Sequence, residues 1–126
     1  MATLAEVALE ARSLQGPVAC VDLETTGGMA AQHRIIEVGI VLLERGQVVE
    51  EWSTLVHPGM RIPSSIVAFT GIDDTMVADA PRFEDVRAEV RRRLDGRLRV
   101  RAERARWRVR ERRHPVLDHR DHGGDE

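Results

Sequence analysis

At 126 residues the chain has room for one domain with a real core and is short for a complete α/β enzyme. Its formal charge of −2 conceals segregation: residues 1–85 hold five Arg against thirteen acids, residues 86–113 thirteen Arg against four, and residues 114–126 one Arg against four. A single cysteine excludes a disulfide scaffold, and the lack of any apolar run of spanning length excludes a helical membrane protein. Met1 to Gln15 carries acids and no long apolar run, which does not fit a secretory signal, so the expected compartment is the cytoplasm. An acidic body joined to a basic segment points to an anionic partner, or to a segment outside the fold.

In chain order, Thr3-Leu4-Ala5-Glu6 has capping-box spacing, and Leu4, Val7, Ala8, Ala11 and Leu14 make an apolar stripe that predicts a leading helix over residues 1–16, closed by Gly16-Pro17. Pro17 to Val21 reads as a short strand buried on both faces, ending where Asp22-Leu23-Glu24 begins. After a loop from Gly27 to His33, the β-branched run Ile35 to Leu43 predicts a second strand. Glu44 to Gln47 makes the turn, and Val48 to Val56 returns as a third strand with Trp52, Thr54 and Val56 on one face. Pro63-Ser64-Ser65 opens a helix that Thr70-Gly71 ends, and Asp73 or Asp74 caps a further turn. Phe83 to Leu94, with Val86, Val90 and Leu94 at i, i+4 spacing, forms a further helix, closed by Asp95-Gly96.

The chemistry is concentrated at Asp22-Leu23-Glu24-Thr25-Thr26-Gly27. Strand side chains alternate, so Asp22 and Glu24 share a face, and two neighbouring carboxylates are tolerated when hard cations such as Mg²⁺ or Mn²⁺ neutralise them. An acid-apolar-acid triplet also arises by chance at strand ends. The D-x-D-x-T pattern of aspartate-nucleophile phosphatases fits poorly, because the second acid is Glu and no Lys exists in the chain to steady a phospho-aspartate. Glu37 interrupts the second strand and must face water or accept hydrogen bonds; it either orients the loop after Glu24 or is an ordinary exposed strand residue. His33 and His57 lie in loops and receive no role.

Taken together, Val21 to Gly27, Arg34 to Gly39, Val56-His57-Pro58-Gly59, Ile62-Pro63, Phe69 to Asp73 and Ala80-Pro81 with Phe83 resemble, in that order, the motifs of the DEDD-type 3′–5′ exonucleases. That ribonuclease H-like group includes the proofreading epsilon subunit of bacterial DNA polymerase III. The resemblance covers residues 15–98. It implies an α/β fold, an incomplete ribonuclease H-like one with a mixed three-stranded sheet core and flanking helices. It also implies a two-ion Mg²⁺ or Mn²⁺ site flanking the scissile phosphate of a 3′-terminal nucleotide, and single-stranded or 3′-terminal DNA, or RNA, as substrate. Carried over, Asp22 and Glu24 are the catalytic metal ligands, Asp22 touching both ions. Thr25 lies against the terminal sugar, and Phe69, Thr70, Gly71 and Ile72 line the single-strand cleft, where Phe69 stacks or wedges. A polymerase subunit is the implied protein partner. The residues alone leave Phe69 open to the alternative of a core aromatic.

Beyond Leu98 the pattern departs. The family continues with a buried strand into A-H-N-A-x-F-D and later pairs a His with an Asp four residues apart. Here Arg99 to Arg108 intervene, Ala105-Arg106-Trp107 only echoes the motif, and Arg108 stands where an Asp belongs. His114 and Asp118 have three residues between them, so the His/Asp-rich end reads as a solvated terminus. Residues 97–126 are expected to be helical or without structure, because an Arg at every second or third position cannot be buried in a central strand. The change of composition fits a shifted reading frame near codon 98. The expected domain plan is therefore a leading helix at 1–16, a partial exonuclease domain at 17–96 and an Arg-rich tail at 97–126. Two functions follow: an exonuclease by lineage with negligible hydrolysis of its own, or a non-catalytic nucleic-acid binder using Arg87 to Arg113.

Overall fold

The computed structural model describes residues 14–27 and 34–101. The leading helix expected over residues 1–16 and the His/Asp-rich end lie outside the described residues, apart from Leu14 to Gly16. The elements are β1 (Val18–Thr25), β2 (Ile35–Glu44), β3 (Gln47–Leu55), α1 (Ser64–Thr70), α2 (Asp74–Val77), α3 (Phe83–Leu94) and β4 (Leu98–Arg101). The four strands form one sheet in the order β3-β2-β1-β4. β1 and β3 run antiparallel to β2, and β4 runs parallel to β1.

β2 is buried at every position from Ile36 to Leu43, as expected of a strand covered on both faces. The hairpin to β3 turns on Arg45 and Gly46, both with positive φ (54° and 74°). This is the combination a two-residue turn needs to match the twist of its strands. On one face, Ala19, Val38, Ile40 and Leu42 pack with Val86 of α3, and Phe83, Val90 and Leu94 extend the contact. The i, i+4 stripe of α3 is thus the face laid on the sheet. A second cluster of Ile36, Ile62, Ile72 and Val77 holds α1 and α2 against the structure. Gly71 closes α1 in the left-handed conformation at φ 79°. Asp73 caps α2 by accepting from the Met76 backbone N–H at 3.0 Å and the Thr75 hydroxyl at 2.6 Å.

Two expectations are corrected. β1 does not stop before the acids but runs through Thr25, because Asp22 and Glu24 continue the ladder opposite Gly39 and Glu37. Residues 98–101, expected to be helical or without structure, are a fourth strand, with Val18 opposite Leu98 and Cys20 opposite Val100. The desolvation objection holds only for a central strand. Among the described residues β4 lies at the sheet's edge, and Arg99 and Arg101 are exposed there. Val56, expected within β3, lies one residue past it but is fully buried, its N–H donating to the Ile36 carbonyl at 2.9 Å.

Candidate functional site

β1 carries the site because its two faces do different work. Ala19 points into the α3 core, whereas Val18, Cys20, Asp22 and Glu24 share the opposite face. Burial pushes the Cys20 thiol above its ordinary pKa, so this cysteine behaves as a packed apolar residue. Further along the same face stand two acids, both buried: Asp22 at 3% and Glu24 at 7% exposure.

The partner strand sharpens the picture. In the β1–β2 register Asp22 is opposite Gly39 and Glu24 is opposite Glu37. Directly opposed residues project to one face, so Gly39 leaves the space beside Asp22 without a side chain, and Glu37 adds a third carboxylate to the face. Glu37 is 3% exposed. It is therefore not the ordinary exposed strand residue that one reading allowed. Its signal in the sequence was a lone acid inside an apolar run. Among the described residues, no group of three His, Cys, Asp or Glu side chains is close enough to enclose a metal ion. The oxygen donors of Asp22 and Glu24 suit a hard cation and amount to part of a ligand set, not a closed cage.

A Thr-rich turn locks the end of β1. The Thr26 N–H donates to the Arg34 carbonyl at 2.8 Å, and the Thr26 hydroxyl accepts from the Arg34 N–H at 3.1 Å. This reciprocal pair pins the start of β2 to the acid-bearing end of β1, a role that sequence reasoning did not assign to Thr26. The Thr25 hydroxyl accepts from the Gly27 N–H at 3.2 Å. Gly27 has φ 74°, and a Cβ there would stand 2.9 Å from Ile66 Cδ1, so its bareness lets α1 pack against the turn.

Through that contact the α1 segment is tied to the same end of β1. Phe69 is 57% exposed, which rules out its reading as a core aromatic and puts it at the surface. Thr70 and Ile72 differ from the expectation that they line a cleft. The buried Thr70 hydroxyl donates to the Ile66 carbonyl at 2.8 Å and accepts from the Ile72 N–H at 3.1 Å, shaping the turn at Gly71. Ile72 is fully buried among Ile36, Ile62 and Val77 because the chain turns inward after Gly71, so it cannot touch a ligand. The structure thus brings Asp22, Glu24 and Glu37 to one face, sets Thr25 in the turn that follows, leaves Phe69 exposed on α1, and assigns Thr70, Gly71 and Ile72 to shaping the turn after α1.

Against known proteins, a family model described as Exonuclease (RNase_T) matches residues 19–107. The chain is 42% identical over 74 residues to the DNA polymerase III PolC-type of Caldanaerobacter subterraneus subsp. tengcongensis, a match covering 59% of this chain and 5% of that protein. It is 38% identical over 76 residues to the DNA polymerase III subunit epsilon of Aquifex aeolicus, covering 60% of this chain and 38% of that protein. Among solved structures it resembles Exonuclease X in complex with 5′ overhanging duplex DNA, with 34% identity and a TM-score of 0.52 over 58% of this chain and 42% of that one. The chain therefore spans well under half of each of these relatives. A family match that starts inside β1, runs through both acids and continues past β4 establishes that this chain belongs to the Exonuclease (RNase_T) family.

Proposed function

We propose that the chain carries the first part of the site of a metal-dependent 3′–5′ exonuclease acting on single-stranded or 3′-terminal DNA, with RNA as the alternative substrate. The observation that supports this most directly is the placement of Asp22 and Glu24, two residues apart on one buried face within the family match. Asp22 and Glu24 would hold Mg²⁺ or Mn²⁺, and the bound ions would supply Lewis acidity at the scissile phosphodiester. Burial on a paired strand fixes the two carboxylates before substrate arrives, so little reorganisation is needed when the cation binds. Thr25 is positioned to meet the terminal sugar, and the exposed Phe69 ring to stack on a base without regard to sequence. Attachment to a polymerase fits the relatives named above and is part of the same proposal.

These 126 residues supply only two of the four acids that the family resemblance calls for. We therefore expect Mn²⁺ to bind but nucleotide release from single-stranded DNA to be negligible. Calorimetric titration with Mn²⁺ should give an affinity that Glu24→Gln lowers at least about tenfold. Identical titrations of the two proteins would defeat the metal assignment, and release of nucleotides abolished by Asp22→Ala would defeat the expectation of inactivity.

A second reading, a non-catalytic nucleic-acid binder, has its own observation. Among the described residues, Arg87, Arg91, Arg99 and Arg101 are exposed and enter no ion pair, whereas Arg92, Arg93 and Arg97 do. Binding through those four would weaken steeply with salt. A fourfold Arg→Gln variant with unchanged affinity for single-stranded DNA refutes it.

A further inference from the structure

A cavity of about 360 Å³ opens beside the acid-bearing end of the sheet. Among its walls are Arg34, His57, Gly59, Arg82, Phe83 and Glu84. It belongs to the α3 face, since Ile35 and Phe83, which also line it, pack in the α3 cluster, whereas Asp22 and Glu24 face the other way. We propose that this cavity is a second subsite, one that holds a backbone phosphodiester of the polynucleotide strand. The proposal rests on the exonuclease reading above for the identity of the strand.

The walls are fixed by backbone bonds, so the cationic side chains are presented from a set frame. Arg34 is held by its two backbone bonds to Thr26, two residues beyond Glu24. This links the cavity to the same strand end as the acids. On the far wall, the His57 N–H donates to the Pro81 carbonyl at 2.8 Å, and His57 forms a bridge with Arg82. The Gly59 N–H donates to His57 Nδ1 at 2.9 Å, which leaves Nε2 as the donor of the neutral ring. A Cβ on Gly59 would stand 2.8 Å from Arg82 Nη1, so the missing side chain is what gives the Arg82 guanidinium its seat.

The chemistry fits a phosphodiester. Arg34 and Arg82 both line the one cavity, and guanidinium pairs with phosphate oxygens in a bidentate way. The start of the twelve-residue α3 lies in the same wall through Phe83 and Glu84. Its first-turn N–H groups and dipole favour an anion. Asp85 turns back to accept from the Arg82 N–H at 3.4 Å. Glu84 opposes the anion and sets the direction of one test. The volume admits a phosphate with its sugar.

The test measures binding of a fluorescent single-stranded oligonucleotide to the full-length protein in EDTA, where the divalent-ion site cannot contribute. Arg34→Gln with Arg82→Gln should weaken binding roughly tenfold and flatten the dependence of log K on log salt by about 1.4, the value for two lost phosphate contacts on a single strand. Glu84→Gln should tighten binding. It keeps the test informative if the double variant unfolds, which a thermal melt would reveal. Unchanged affinity and salt slope in the double variant, or no effect of Glu84→Gln, overturns the subsite. So does competition by inorganic phosphate at equal molarity with the oligonucleotide, since the site would then serve the free anion. A Mn²⁺ titration insensitive to Glu24→Gln would remove the exonuclease reading but leave arginine-dependent strand binding intact, so the two failures are separable.

Discussion

Buried charge is handled in opposite ways on the two faces of the sheet. Under α3, Arg93 is 5% exposed and fully answered. Its Nε and Nη2 donate to Glu50 at 3.0 and 2.7 Å, its Nη1 donates to the Glu89 carboxylate at 2.8 Å and carbonyl at 3.0 Å, and its guanidinium lies 4.4 Å from the centre of the Trp52 ring. On the other face, Glu24 and Glu37 are like charges set directly opposite each other, with Asp22 two residues away. The first arrangement satisfies a charge with its opposite and serves the fold. The second gathers acids of one sign on one buried face, an oxygen-donor arrangement that a hard cation would suit.

The sharpest way to break this contrast is to remove each charge and compare what is lost. Arg93→Met should lower stability by about 2 kcal/mol in urea unfolding, less than the roughly 3–5 kcal/mol of a fully buried pair because Glu50 and Glu89 keep contact with water. The methionine retains the packing on Trp52, so the loss reports the charge network. An unchanged urea midpoint would mean that Arg93 is merely packed, and the comparison would lose one side.

Glu24→Gln should show its effect through the cation. Gln keeps the length of the side chain and removes the charge that a hard cation needs. Saturating Mn²⁺ should raise the melting temperature of the unaltered protein and leave that of the variant in place. An equal rise in both proteins would show that Glu24 is not a ligand.

What could be read from the residues divides along the same line. The strand pattern of β2, the hairpin at Arg45-Gly46 and the boundaries of α3 at Phe83 and Leu94 were legible, because period, turn residues and stops all agreed. Asp22 and Glu24 were legible as a pair from strand alternation alone. The Glu24–Glu37 opposition was not, because register depends on the turn and on a bulge between Glu24 and Thr25 that no local pattern announces. β4 was misread because its Arg residues were weighed as if the strand were central. Among the described residues the topology puts β4 at an edge, where Arg99 and Arg101 reach solvent. Ile72 was assigned to a cleft from its motif, whereas the inward turn after Gly71 places it in the core.

The smallest expected effect isolates the exposed end of the Arg93 network. The Arg93 guanidinium, and then Arg92, hold the Glu89 carboxyl below its ordinary value of 4.5. A carboxyl depressed on folding contributes stability that is present above its unfolded pKa and is lost as pH falls through the folded one. Glu89→Gln should therefore be slightly less stable than the parent at pH 7, and the difference should vanish as the pH is taken well below 4.5. Glu89 is open to solvent, so salt should shrink the pH 7 difference as well. Urea unfolding at pH 7 and pH 3, with and without added salt, measures this. A difference that persists at pH 3 would assign the effect to the packing of the side chain and not to its charge. The network under α3 would then rest on Glu50 alone.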